Sequence, residues 1–456
     1  MRPKIESPVV FCLHYLGGSA REWSRVIDLV HNARCIPLDL PGFGDASEAS
    51  GYIVVEMVAH VERAIAALAP HRWFVVGHSM GAKIATVIAR RAEDGVGLSG
   101  LEGLVLVAGS PPSPEPMPDE QRRTMLTYFS GDTAAQQANA RTYVTRNTSA
   151  PLDSEFEAIA VADVLRANRN AWRAWLENGS REDWADRIGI ARTPTLLIAG
   201  GEDANLGPSA QRALVAPHFA NVRLITLAGA KHLLPMERAE DVARAISDHV
   251  AEVTYRALIA SDRVGAKTRE ALLARSNPDH HAYAPIALDA SSFEILRAVL
   301  ARVIPQDAET HIELAARIDT QLHSDTGDGW RFDILPTDRE AYRAALQTLD
   351  SVAHREHGQI FEHLDAAQQD DFLERVADGR LESSSDGLGA QQMRSWFEEL
   401  RADAVRAYLA DLRTLARIGY SGIANGGDGT PKSGFARVGL GEREAWEPIA
   451  TTERIR

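Results

Sequence analysis

The apolar run Trp73-Phe74-Val75-Val76 feeds directly into Gly77-His78-Ser79-Met80-Gly81, and a helical pattern from Ala82 to Ala92 follows. No other stretch restricts the fold of this chain as tightly. The two glycines let the backbone turn sharply and let strand and helix approach closely. Such a turn lifts the Ser79 hydroxyl clear of a sheet, where a base can reach it, and a serine presented that way suits nucleophilic catalysis. A G-x-S-x-G pentapeptide is short and recurs by chance, so its meaning depends on the segments around it.

Those segments alternate between strand and helix patterns up to about residue 255, which predicts a parallel sheet covered on both faces. Strand candidates are 9–13, 34–38, 73–76, 103–107, 195–198 and 222–227, with helical patterns such as 53–68 and 238–253 between them. The stretch from Ser110 to Ile190 breaks the alternation. It opens on Pro111, Pro112, Pro114, Pro116 and Pro118 and continues with helical patterns and no clear strand, so residues 111–190 read as a lid over the strand ends. After about residue 256 strand patterns vanish. Phe293, Leu296, Leu300 and Val303, then Ala345, Leu346, Leu349 and Val352, then Phe397, Leu400, Ala404 and Leu412 recur at helical spacing. The expected organisation is an α/β domain over residues 1–255, a linker region over 256–275 and an all-α domain over 265–450.

A chain of 456 residues exceeds one ordinary core, in keeping with two domains. The formal net charge of −14, with no basic block, argues against a nucleic-acid-binding surface. No apolar run reaches the ~18 residues of a membrane span. The opening Met1-Arg2-Pro3-Lys4-Ile5 has neither an apolar signal core nor a twin-arginine pair, so a cytoplasmic location is expected. Cys12 and Cys35, the two cysteines, lie in strand-like runs and read as buried small hydrophobes rather than a redox pair.

Three further segments surround the serine. Gly200-Gly201-Glu202-Asp203 follows one strand candidate, and Gly229-Ala230-Lys231-His232 follows the next. Ligands gather at the carboxyl ends of strands in open α/β sheets, so Ser79, a carboxylate and His232 can converge there. Asp203 is favoured over Glu202, because neighbouring side chains of an extended segment point opposite ways. His14-Tyr15-Leu16-Gly17-Gly18-Ser19 follows the first strand candidate, where a loop can supply an oxyanion donor. His78 reads as a structural residue of the turn. In the lid, Tyr128, Phe129, Trp172 and Trp175 are candidates for a substrate pocket, with Trp184 a further aromatic there.

Taken with Asp39-Leu40-Pro41-Gly42-Phe43-Gly44 and the run from His232 to Arg238, these segments make residues 8–255 resemble the α/β-hydrolase superfamily. The resemblance implies a Ser-Asp-His triad in that chain order, with Ser79 as nucleophile, His232 as general base and then acid, and Asp203 orienting the imidazole. It places the oxyanion hole at the N–H groups of Met80 and Leu16 and implies hydrolysis of an ester, lactone or thioester with no metal or organic cofactor. Two departures stand out. The family has His-Gly where this chain has His14-Tyr15; tyrosine tolerates positive φ poorly, which bears on the Leu16 amide, and the Tyr15 hydroxyl becomes a substrate-pocket candidate. Few residues precede the first strand, so about six core strands are expected rather than about eight.

In the second half, the run from Val264 to Arg275, Phe293 to Gln306, Tyr342 to Leu364, and the late Gly419-Tyr420-Ser421-Gly422 with Trp446 resemble the gluconate 2-dehydrogenase subunit 3 family. That resemblance implies a helical partner of a flavin-dependent dehydrogenase acting on sugars or polyols, with no flavin site of its own. An alternative function is therefore a non-catalytic accessory subunit that uses the hydrolase fold as a scaffold. His354 and His357 lie three apart on a helical pattern without a ligand set, and His280-His281 reads as linker. Gly426 to Ser433 approaches a phosphate loop, but Pro431 stands where that motif needs glycine.

Overall fold

The computed structural model describes residues 7–275, 283–306, 311–324, 329–382, 387–424, 435, 439, 442–444 and 446–452. His280-His281 and Gly426 to Ser433 lie outside the described residues. Contacts divide the chain into two compact units: residues 1–266 together with 416–456, and residues 267–415.

In the first unit, six strands form one parallel sheet: β1 Val9–Leu13, β2 Arg34–Leu38, β3 Trp73–His78, β4 Leu101–Val107, β5 Thr195–Gly200 and β6 Val222–Leu227. The spatial order is β2-β1-β3-β4-β5-β6. Side chains alternate between the two faces, and both faces are covered. Phe11, Leu13, Val75, Leu104, Leu106 and Leu197 pack on one side with the helices Val54–Leu68 and Met80–Glu93. Val10, Cys12, Phe74, Val76, Val105 and Ile198 pack on the other, against the helix Ala239–Ala260. This two-sided burial explains why the central strands read as continuous apolar runs. Cys12 and Cys35 are free thiols.

The sheet order reverses between β1 and β3, because β1 leads outward to β2 while β3 lies on its opposite side. The loops leaving β1 and β3 therefore open a crevice at their carboxyl ends. Between β4 and β5, four helices (Asp119–Leu126, Thr133–Arg146, Ser154–Arg166 and Arg169–Glu177) form the lid. Its roots are tied down by Lys83, a fully buried ammonium on the helix Met80–Glu93 that donates to the carbonyls of Ser113, Gly179 and Glu182 at 3.3, 3.2 and 3.0 Å.

The second unit is helical, with its core drawn from Ala290–Val303, Leu314–Ser324, Asp338–His357, Ala366–Ala377 and Ala390–Leu409. Leu412 begins a separate short helix, because the Asp411 carboxylate accepts the Arg413 N–H at 2.8 Å and restarts the chain after Leu409. The sequence reading carries the helical domain to residue 450, but the chain from Ala416 packs with the first unit. There Arg417 makes a two-pronged ion pair with Asp248 at 3.1 and 2.9 Å, and the Thr451 N–H donates to the Arg417 carbonyl at 2.9 Å. Among the described residues no helix is long and apolar enough to cross a membrane, and no group of three metal-ligating side chains occurs.

Candidate active site

β3 ends at His78, and the helix Met80–Glu93 begins one residue beyond Ser79. Ser79 takes φ 52° and ψ −112°, a strained backbone for a residue with a side chain. The flanking glycines permit it: a Cβ on Gly77 would lie 2.4 Å from the Gly81 carbonyl oxygen, and one on Gly81 2.6 Å from that of Leu13. The turn is pinned by the Ser79 N–H, which donates to Val107 at 2.9 Å, and by the Ser110 N–H, which donates to the Ser79 carbonyl at 3.1 Å.

The loops after β5 and β6 bring the other two side chains to this serine. The Ser79 hydroxyl lies 2.9 Å from His232 Nε2, and His232 Nδ1 lies 2.7 Å from Asp203 Oδ2. The loops touch so closely that a Cβ on Gly200 would fall 1.9 Å from the Lys231 carbonyl oxygen. Asp203 Oδ1 accepts the N–H groups of Asn205 and Leu206, both at 3.0 Å. Burial pushes this carboxyl up, but the neighbouring His232 and the two amides outweigh burial and hold it at about 2. For His232, burial favours the neutral ring, yet Asp203 prevails and the imidazole sits above its usual value. With Asp203 ionised, Nδ1 carries the hydrogen and Nε2 is left to accept from the Ser79 hydroxyl. Glu202 is exposed, and its N–H donates to Ala230 at 2.9 Å.

Met80 is the first residue of its helix, and Leu16 begins the turn after β1. Neither N–H has an acceptor among the described residues. The turn closes with the Gly18 N–H donating to the Tyr15 carbonyl at 3.0 Å, and the positive φ (82°) falls on Gly17. Tyr15 is not among the residues at positive φ, so its substitution for the family glycine does not strain the loop. The lid supports the same turn: the Tyr143 hydroxyl donates to the Leu16 carbonyl at 2.9 Å.

A cavity of about 670 Å³ contains Ser79, Asp203, His232 and Leu16 in its walls. Tyr128 and Trp175 line it as well. Tyr15, Phe129 and Trp172 do not. Tyr15 is fully buried between His78 and Tyr143, and Trp172 packs among Tyr128, Phe129 and Tyr143 with its indole N–H on the Met125 carbonyl at 2.9 Å. These aromatic residues build the lid core, and Phe129 packs edge-on against Trp172. Glu115 also faces the cavity and accepts the Ser110 hydroxyl at 2.6 Å, with burial raising its carboxyl. Nothing in the local sequence pattern of Tyr143, Glu115 or Asn147 marks them as cavity residues. In the second unit, His357 lies against the Phe372 ring at the end of its helix, and among the described residues no metal-ligand group forms around it.

Residues 9–245, more than half of the chain, match the model for the Alpha/beta hydrolase family. The chain belongs to the alpha/beta hydrolase family. Residues 290–427 match the Gluconate 2-dehydrogenase subunit 3 family, so the hydrolase domain is fused to a second, helical family. Curated relatives match only short stretches of the hydrolase. Protein PHYLLO, chloroplastic, from Arabidopsis thaliana is 32% identical over 122 residues, which is 25% of this chain and 7% of that protein. Pimeloyl-[acyl-carrier protein] methyl ester esterase from Sodalis glossinidius is 37% identical over 100 residues, covering 22% and 35%. The 2-succinyl-6-hydroxy-2,4-cyclohexadiene-1-carboxylate synthase of Photorhabdus laumondii is 27% identical over 106 residues, covering 23% and 37%. The chain thus spans well under two thirds of these relatives. Among solved structures, the enol-lactonase from Burkholderia xenovorans LB400 is similar with a TM-score of 0.46 and 19% identity, over 54% of this chain and 91% of that one.

Proposed function

We propose that the hydrolase unit is a serine hydrolase that cleaves an ester, lactone or thioester through an acyl-serine intermediate. The observation that carries this reading is the unbroken hydrogen-bonded series Ser79–His232–Asp203, opening into a cavity beneath the lid. In this reading His232 takes the Ser79 proton as the hydroxyl attacks the substrate carbonyl. The N–H groups of Met80 and Leu16, which have no acceptor among the described residues, stabilise the oxyanion. His232 then protonates the leaving group, and a water it activates releases the acyl group. The match to a methyl ester esterase supports carboxylic ester chemistry. The test is labelling of the full chain by a fluorophosphonate probe, together with hydrolysis of p-nitrophenyl acetate. Labelling at Ser79, and loss of both signals in Ser79→Ala, is the expected result; equal turnover by wild type and Ser79→Ala overturns the reading.

For the helical unit, the match to Gluconate 2-dehydrogenase subunit 3 supports docking of a flavin-dependent dehydrogenase. Co-purification of a flavoprotein with the tagged full chain from its native host is the corresponding test, and recovery of none removes this part of the proposal.

A further inference from the structure

Behind the Ser79–His232 pair lies a second imidazole, His78, with no exposed surface, and beside it Glu22, also with none. His78 Nε2 lies 2.8 Å from the His232 carbonyl oxygen. His78 Nδ1 lies 3.1 Å from Glu22 Oε1. We propose that Glu22 and His78 are a buried acid–imidazole pair that holds one proton at neutral pH and uses it to fix the main chain of His232. Both are then positioning residues for the proposed hydrolysis.

The proton count follows from hydrogen-bond roles. A carbonyl oxygen only accepts, so His78 Nε2 must carry a hydrogen. If His78 is neutral, Nδ1 is then a lone pair facing a carboxyl oxygen. An ionised Glu22 would set two acceptors against each other at 3.1 Å, away from water. One hydrogen must therefore lie between Nδ1 and Oε1. Among the described residues Glu22 Oε2 has no hydrogen-bond partner, a heavy cost for a buried carboxylate and a small one for the carbonyl oxygen of a neutral acid; burial outweighs His14 and the Tyr15 main-chain N–H, which favour the ionised form. Burial acts the same way, raising the Glu22 carboxyl well above its usual range and lowering His78 well below its own. The hydrogen thus belongs to Glu22, which donates it to Nδ1.

The groups facing the pair leave this assignment intact. His14, Tyr15, Asp163 and His232 surround Glu22, and His232, Asp203 and the Trp23 ring surround His78. His14 is occupied by the Tyr15 carbonyl at 2.7 Å and the Leu40 N–H at 3.0 Å. Asp163 is paired with Arg21 and Arg166, and Asp203 with His232. Cys12 and Tyr143 also feel the Glu22 charge; the Cys35 contact and then burial hold the Cys12 thiol up, and burial holds the Tyr143 hydroxyl up. The consequence falls on the base. The N–H groups of His232 and Leu233 donate to the Asn147 carbonyl, each at 3.0 Å, while the His232 carbonyl accepts from His78. The peptide is gripped at both ends, which aims the imidazole at Ser79.

The activity arm rests on the proposed function; the spectroscopic arm does not. Infrared difference spectra of the full chain, wild type minus Glu22→Gln at neutral pH, are expected to show the carbonyl stretch of a protonated carboxylic acid. A difference confined to carboxylate bands overturns the proton assignment. With p-nitrophenyl acetate, His78→Phe and Glu22→Leu are expected to lower kcat about 10- to 100-fold with KM little changed. Glu22→Gln is expected to restore most of the loss, because its amide N–H donates to Nδ1 as the acid does. Glu22→Gln as defective as Glu22→Leu would show that the charge is needed and overturn the neutral pair. Unaltered kcat in His78→Phe overturns the positioning role. If Glu22→Leu fails to fold, the infrared comparison and the His78→Phe kinetics still decide, and an inactive wild type with the acid band present refutes the hydrolase reading alone.

Discussion

The Tyr143 hydroxyl donates to the Leu16 carbonyl at 2.9 Å, joining the lid helix Thr133–Arg146 to the turn after β1 across 127 residues of sequence. Leu16 lines the cavity, and its N–H, in the peptide just before the carbonyl that Tyr143 holds, has no acceptor among the described residues. The two adjoining peptide planes share the Leu16 Cα, and the turn is closed by the Gly18 N–H on the Tyr15 carbonyl, so holding the Leu16 carbonyl removes one of the few rotations left to that N–H. The lid therefore contributes to the proposed oxyanion hole as well as covering the cavity. Tyr143→Phe keeps the ring in its aromatic cluster and deletes one hydrogen bond. Steady-state kinetics on p-nitrophenyl acetate should show kcat lowered about 5- to 12-fold, matching the ~1–1.5 kcal/mol of a buried hydrogen bond, with KM little changed. An unchanged kcat would separate the lid from oxyanion stabilisation.

The strain at Ser79 gives a second prediction. A φ of 52° costs any residue with a Cβ, and Ser79 adopts it at the proposed nucleophile position. Ser79→Gly removes that cost along with the hydroxyl. The hydrolase unit should resist urea better by about 1 kcal/mol while losing all turnover, whereas Ser79→Ala, equally strained, should lose turnover without the gain. Chemical denaturation of the three proteins side by side checks this.

These two features also mark what could be read in advance. Ser79, Asp203 and His232 announced themselves because each follows an apolar run at a strand end, and parallel sheets gather such ends. The six strands were legible for the same reason. Tyr143 was not, since its importance comes from a contact 127 residues away and its helix has little apolar stripe. The lid tryptophans were readable as aromatic, yet nothing in sequence separates a residue lining a cavity from one packed behind it, and Trp172 proved to be the latter. Leu412 fitted a helical spacing that runs on across a real break at Asp411. Lys83 did leave a signal: it is the one charge among ten consecutive buried residues from Met80 to Ala89. A lone charge in a helix that is apolar all round calls for partners.

The acid side of the pH–rate profile follows from His232. As the proposed base it works only when neutral, and Asp203, against burial, raises its imidazole above the usual 6.5. kcat/KM on p-nitrophenyl acetate should therefore climb with pH through a value above 6.5. Asp203→Asn removes the charge that supports the imidazolium, so the midpoint should move to lower pH while kcat falls by about 10⁴-fold, the scale seen when this carboxylate is removed from other Ser-His-Asp sites. The linked stability has opposite signs for the two partners. The contribution of His232 is complete below its unfolded value and is lost as pH rises through the folded one. That of Asp203 is present above the unfolded carboxyl range and is lost as pH falls through about 2. A profile whose midpoint stays put in Asp203→Asn would place control of the base elsewhere.

Lys83 supplies the last prediction. Its ammonium is buried, and all three of its acceptors are main-chain carbonyls at the two roots of the lid. Burial lowers its ordinary value of 10.5 to about 8, an effect only partly offset by Glu115, Glu182 and Asp183. Lys83→Met keeps the length and apolar stem of the side chain but leaves three carbonyls without their donor. The hydrolase unit should lose about 2–3 kcal/mol near neutral pH, and the lid between Ser113 and Glu182 should become more open to limited proteolysis. The sign of the pH dependence is set by the lowered value. Between about 8 and 10.5 the unfolded lysine binds more proton than the folded one, so wild-type stability from this group rises with pH across that window. The deficit of Lys83→Met should widen there in urea titrations. A deficit that narrows instead would mean that the charged form, not the amine, is what the three carbonyls require.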